Sequence, residues 1–251
     1  MSKIISVHSF RGGTGKSNTT ANLTALLANQ GQRVGVVDTD IQSPGIHALF
    51  GLDEENMTYS LNDYLNGKCD IQQAAHDVTN TLGSPIKGKI YLVPSSIKTG
   101  EIMRVLKDGV DPGLLNDGFH SLLEELRLDT LMIDTHPGLN EETMLSIAIS
   151  DALAILLRPD RQDFQGTAVT VEVARQLGIP RMVLVVNRAP TIWDPVALKA
   201  QVERTYNAEV AAVLPNTDEM MTLASEGIFA LRYPNHPLTA LLKRLADRLV
   251  S

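Results

Sequence analysis

One short stretch limits what this chain can become. Ile4 to Val7 reads as a strand and leads at once into Phe10-Arg11-Gly12-Gly13-Thr14-Gly15-Lys16-Ser17. Ser17 to Asn29 then carries Leu23, Leu26 and Leu27 on one helical face, with Gly31 beyond its end. A strand, three closely spaced glycines and a helix make a turn whose backbone N–H groups can point inward without side-chain obstruction. The helix adds its positive end to the same concavity. Phosphate oxygens suit that geometry, Lys16 can reach the outer phosphates, and the Ser17 hydroxyl can sit on Mg²⁺.

The remainder of the chain repeats the alternation of strand and helix. Val34 to Val37, Ile90 to Val93, Leu131 to Ile133, Leu153 to Leu157, Met182 to Val186 and, more weakly, Val210 to Leu214 read as strands. Helices are expected over Leu114 to Leu126, Glu141 to Ile149, Phe164 to Leu177, Pro195 to Tyr206 and Leu238 to Val250. Right-handed crossovers between such units predict an α/β fold, a mostly parallel twisted sheet with helices on both faces. The irregular stretch Gly51 to Gly88 is expected to lay short helices and loops over the sheet edge. No repeat or long linker divides the 251 residues, so one domain over 1–251 is expected.

Composition narrows the function classes. Lys plus Arg is 22 and Asp plus Glu is 29, a net charge of −7, which argues against a generally basic coat but leaves room for a local patch. Cys69 stands alone, which excludes an intramolecular disulfide and a metal centre built from several cysteines. No run approaches the ~20 apolar residues of a membrane span, and the start of the chain is too polar for a signal peptide. A soluble, cytoplasmic protein is expected.

Two strands end in carboxylates. Asp38-Thr39-Asp40-Ile41-Gln42 closes the second strand, and Asp134-Thr135-His136-Pro137-Gly138 follows the Leu131 strand. Beside a phosphate loop, such carboxylates can hold Mg²⁺ through water and orient an attacking water; elsewhere they would be solvated turn residues. Asn187 ends the Met182 strand at the sheet edge where open α/β sheets bind ligands, and its amide matches the donor–acceptor edge of adenine. Alone, it would read as a turn residue.

In this order, over nearly the whole chain, the motifs resemble the ParA/MinD family of P-loop ATPases, of SIMIBI type. The loop is similar to that family's deviant Walker A box, K-G-G-x-G-K-[ST], with Arg11 in place of the first lysine and Phe10 where the ordinary box has glycine. The resemblance implies ATP or ADP with Mg²⁺. Gly12, Gly13, Thr14, Gly15, Lys16, Ser17 and Asn18 would hold the phosphates, and Asn187, Arg188 and Pro215 the base. Ser17, Asp38 and Asp134 would form the metal shell, and the Gly138 N–H would sense the γ-phosphate. Lys16, Asp40 and Arg11 would be catalytic, with Asp40 positioning water and Arg11 touching ATP in a partner subunit.

The resemblance further implies an ATP-dependent homodimer whose slow hydrolysis is stimulated by a partner protein. The dimer would position a cargo on nucleoid DNA or a membrane, with DNA slightly favoured. The alternative is a weakly hydrolysing nucleotide-dependent binding switch. A cluster carrier of the same lineage would need more cysteines than Cys69.

Several residues are open at this stage. His136 is expected to be a loop or interface residue, and Ile41, where the family has proline, is expected to alter the loop's path. Arg161 and Asp163 are candidates for cross-subunit contacts or for a plain solvated turn. Asn216 and Asp218 either flank the base or cap a helix. Arg175, Arg181, Arg188, Lys199 and Arg204 could form a basic patch. The stripe Leu238, Leu241, Leu242, Leu245 and Leu249 reads as a core helix, with a membrane-lying helix as the alternative.

Overall fold

The computed structural model describes residues 2–251. Its strands are β1 (Lys3–His8), β2 (Arg33–Asp38), β3 (His76–Asp77), β4 (Lys89–Val93), β5 (Thr130–Asp134), β6 (Ala152–Leu157), β7 (Met182–Ala189) and β8 (Val210–Pro215). They form one sheet in the order β3-β4-β2-β5-β1-β6-β7-β8. Every pairing is parallel except that of β3 with β4.

The helices are α1 (Lys16–Asn29), α2 (Ile46–Leu49), α3 (Leu61–Leu65), α4 (Thr99–Asp108), α5 (Pro112–Glu125), α6 (Glu141–Ala148), α7 (Arg161–Gln176), α8 (Pro195–Tyr206), α9 (Asp218–Leu223), α10 (Phe229–Arg232) and α11 (Pro237–Val250). They cover both faces of the sheet. Successive strand residues alternate between those faces. Ile5, Val7, Met132, Ala154 and Leu156 pack with α1, α10 and α11. On the other face Ile4, Leu131 and Ile133 meet α3 and α5, while Leu153, Ile155 and Leu157 meet α7 and α8. Central parallel strands buried on both sides need apolar residues at every position, and all six residues of β6 are buried.

One feature differs from the expectations and two agree with them. The helix α4 lies where no element was expected, although Ile102, Met103, Val105 and Leu106 stand at helical spacing; Met103 and Leu106 face outward at 60% and 49% exposure, and only Val105 of this helix is buried. The irregular stretch does hold short elements, α3, two 3₁₀ turns and β3. The final helix α11 buries Leu238, Leu242, Leu245 and Leu249 against α1 and β8, so its apolar stripe is core. Among the described residues no helix is long and apolar enough to cross a membrane.

Because the central strands run parallel, their C-terminal ends share one edge. There, β5 lies between β1 and β2, and Asp134 sits opposite Asp38 on one side and Val7 on the other. The Gly-rich turn leaves β1 at that same edge.

Candidate nucleotide-binding site

The phosphate loop is held by glycine geometry and small hydroxyls. Gly13 and Gly15 have φ of 75° and 95°, a left-handed backbone that glycine adopts at little cost. Thr14 Oγ1 donates to Ser9 Oγ (2.8 Å), and Ser9 Oγ to the Arg11 carbonyl (2.6 Å). Helix α1 begins at Lys16, one residue before the sequence suggests, and its cap Gly15 offers no side-chain acceptor. Its first N–H groups therefore face the loop without an internal partner, the arrangement that binds an anion. Lys16, buried to 6% exposure, stands at the same place. The loop fits a phosphate chain.

The carboxylates fit a divalent cation. Asp38 and Asp134 are fully buried neighbours across the β2–β5 pair. Burial holds the Asp134 carboxyl up at about 6, against the opposing pull of the Ser17 hydrogen bond, the Lys16 charge and Thr20, whose hydroxyl lies 3.2 Å away. Burial, and then the Asp134 charge, push Asp38 well above the ordinary carboxylate range despite N–H donors on Asp40 (3.0 Å) and Gly45 (3.4 Å). Two carboxyls that resist ionising together are relieved by a nearby cation. No cluster of three or more His, Cys, Asp or Glu ligands exists among the described residues. A site with two carboxylates and a serine hydroxyl suits Mg²⁺, which keeps several waters and shares the phosphates.

The two acidic loops meet above this pair. Asp40 Oδ1 accepts from Ser43 N (3.2 Å) and from His136 Nδ1 (2.6 Å). The Gly138 N–H, in a residue with φ of 88°, donates to Ser9 O at 3.2 Å. Ile41 is buried with Val37 and Val93, so an apolar anchor stands where the family has a rigid proline. His136 is therefore a partner of Asp40, which the expectation of a loop or interface residue did not include.

At the other end of the loop lies a cavity of about 420 Å³ lined by Gly15, Asn18, Asn187, Arg188, Pro215 and Asn216, with Met220 and Met221 among its apolar walls. Asn187 Nδ2 donates to Thr14 O (2.7 Å), and its Oδ1 accepts from Arg188 N (2.9 Å). An amide has a second hydrogen and a second lone pair, so both atoms retain capacity toward a base. A β-carbon on Gly15 would stand 2.5 Å from that Nδ2, which ties the glycine to the asparagine as well as to the turn. Arg188 has φ of 55° where the β7–β8 register is irregular, a strained backbone of the kind that gathers at ligand sites. The cap of α9 is Thr217, whose hydroxyl accepts from Met220 N, and not Asn216 or Asp218.

Other expected residues are engaged elsewhere. Arg11 donates to Gln162 Oε1 (2.5 Å) and lies 3.5 Å from Asp163 Oδ1, both on α7 of its own chain. Asp163 is 2% exposed and accepts from Arg158 N (2.9 Å) and Nε (3.1 Å). It is an internal strut, neither a free cross-subunit residue nor a solvated one; Arg161 is exposed. Arg175 is tied to the carbonyls of Tyr206 and Asn207, Arg181 to Ser251, and Lys199 to Glu203. Of the five candidate basic-patch residues, three thus have partners within the chain.

Comparison with known proteins agrees with this geometry. A family model described as an AAA domain matches residues 2–178. An ATP-binding protein of Methanocaldococcus jannaschii is 26% identical, covering 100% of this chain and 88% of its own length. The septum site-determining protein MinD of Thermotoga maritima is 24% identical over 99% of this chain and 88% of its own. Among solved structures, MinD of Pyrococcus horikoshii with Mg-ADP superposes with a TM-score of 0.81 at 23% identity, covering 99% of this chain and 96% of its own. A ParA family ATPase from Chlorobium tepidum gives 0.80 at 17% identity, covering 99% and 100%. The phosphate loop, the paired strand-end carboxylates and these likenesses agree: the chain belongs to the AAA-domain P-loop proteins, within the ParA/MinD family.

Proposed function

We propose that residues 1–251 act as one ATPase domain, an ATP-binding and hydrolysing dimerisation switch. The observation that carries this reading is the buried Asp38–Asp134 pair set beside Lys16 and the bare N-terminus of α1. Gly12, Gly13, Thr14, Gly15, Lys16, Ser17 and Asn18 bind the phosphates of ATP or ADP. Asn187, Arg188 and Pro215 hold the adenine. Ser17 with Asp38 and Asp134 holds Mg²⁺, which when bound offsets phosphate charge. Asp40 orients the attacking water. Gly138 exchanges its 3.2 Å bond to Ser9 for the γ-phosphate, so its loop has an ATP and an ADP position.

Arg11 leaves Gln162 in the ATP state and reaches the phosphates bound by a second copy, where a guanidinium can fork onto two oxygens. The ADP form is a monomer. The relatives named MinD support a role in positioning a cargo from the cytoplasm, on nucleoid DNA or at the membrane face, with an activating protein to speed slow turnover. Of those surfaces DNA is favoured, since α11, the candidate membrane helix, is core. The contact of Arg11 within its own chain supports a second reading, a binding switch with little hydrolysis.

Equilibrium binding of ATP and phosphate release by wild type, Lys16→Ala and Asp40→Ala test the proposal. Lys16→Ala should lose nucleotide binding. Asp40→Ala should bind ATP and keep only a small residual turnover. Tight binding by wild type with no turnover would favour the second reading, and no binding at all would end both.

A further inference from the structure

We propose that His136 is a positioning residue for hydrolysis, a tie through which the γ-phosphate-sensing loop sets the orientation of Asp40. The inference rests on the reading of Asp40 as the residue that orients water. Its basis is the 2.6 Å bond from His136 Nδ1 to Asp40 Oδ1, between side chains exposed by 19% and 14%. An ionised carboxylate only accepts, so Nδ1 carries the proton of this bond.

The bond decides which oxygen is left for water. Oδ1 also takes the Ser43 N–H at 3.2 Å, and the Asp40 N–H is held by Asp38 at 3.0 Å. With both donors on Oδ1, Oδ2 is the oxygen turned to the reaction. At their roots the loops are joined by Thr39, whose N and Oγ1 bond Asp134 O at 2.9 and 3.0 Å. Farther out, a cavity of about 230 Å³ opens between them, with Ile41 and Gln42 on one side and Asn140 and Glu142 on the other. His136 is one of its walls, and its bond to Asp40 joins the two loops beside it.

His136 is also placed to pass on a change. It lies between Asp134 and Gly138, and Thr135, just before it, is pinned to Val7 O and His8. A shift of Gly138 from Ser9 toward phosphate therefore turns the loop about Thr135 and moves the imidazole, which carries the Asp40 carboxylate with it. In the reaction the water oxygen bonds to the γ-phosphorus, the bond to the ADP oxygen breaks, and the water's proton leaves through the phosphate and solvent. Asp40 and His136 only orient the water in this step.

The test measures kcat, KM and ADP affinity for the Mg²⁺-ATPase of the full chain in wild type, His136→Ala, His136→Asn, Asp40→Ala and the Asp40→Ala/His136→Ala double variant. His136→Ala should lower kcat by about tenfold or more, as lost positioning does, while KM and ADP affinity stay within about twofold. His136→Asn keeps an N–H close to the place of Nδ1 and should retain most of kcat. In the Asp40→Ala background, His136→Ala should cost nothing further. Wild-type kcat in His136→Ala, no rescue by asparagine, or additive losses in the double variant would each overturn the proposal. If Asp40→Ala keeps full turnover, the reading of Asp40 fails and this inference with it. If Asp40→Ala loses turnover and His136→Ala does not, only the tie is refuted.

Discussion

Phe10 shows how one residue reshapes a familiar loop. Its ring lies against α7 so closely that a β-carbon on Gly166 would stand 2.1 Å from Cδ1. The phosphate loop leans on α7 at that point. Gly166→Ala should therefore destabilise the protein by about 1–3 kcal/mol in urea unfolding, as overpacking does. In a Phe10→Gly background all three crowding atoms, including Cβ at 2.9 Å, are gone, and the same change should stabilise by up to about 1 kcal/mol, the helix preference for alanine over glycine. His8 makes a second test at this scale. Burial first, and then the charges of Lys16 and His136, hold its imidazole down at about 3 from the usual 6.5. Between those values the unfolded chain binds the proton and the folded one does not, so stability present above pH 6.5 is lost as pH falls toward 3. Thermal melts should show wild type losing more Tm than His8→Asn between pH 7 and 4.5, with the gap opening below 6.5. Equal losses would mean that the buried imidazole costs nothing to charge.

At the scale of elements, α11 separates a core helix from a surface one. Leu245 is fully buried, and Leu245→Ala should cost about 2–5 kcal/mol of unfolding free energy while leaving any liposome binding unchanged. A change in liposome affinity with no loss of stability would contradict the packing seen here. The central strands were legible in the sequence to within a residue or two, because burial on both faces writes them as continuous apolar runs. Helix α4 was written there too, in Ile102, Met103, Val105 and Leu106 at helical spacing, yet no element was expected over it; its Met103 and Leu106 face water rather than the sheet. The phosphate loop and the strand-end carboxylates were legible for a different reason: their chemistry sits in a few consecutive residues. The partners of Asp40 and Arg11 lie 96 and 151 residues away, and no local pattern announces such contacts. Asp163 misled because its type suits a turn, whereas it is buried between Arg158, five residues before it, and the distant Arg11.

For the whole molecule, the account depends on a second copy. Arg11 is docked on α7 of its own chain, so an ATP dimer must exchange that contact for one across the interface. Relieving the dock should favour the dimer: Gln162→Ala should lower the protein concentration needed for ATP-dependent association by severalfold, the scale of one charge-assisted hydrogen bond. Arg11→Ala should weaken both association and turnover, and unaltered values would remove it from the trans role. The most direct measurement is the solution mass of Asp40→Ala with Mg²⁺ and ATP, set against the same protein with ADP. The account predicts a near-doubling of mass with ATP alone. A monomer in both nucleotides, with ATP binding confirmed, would contradict the dimerisation switch.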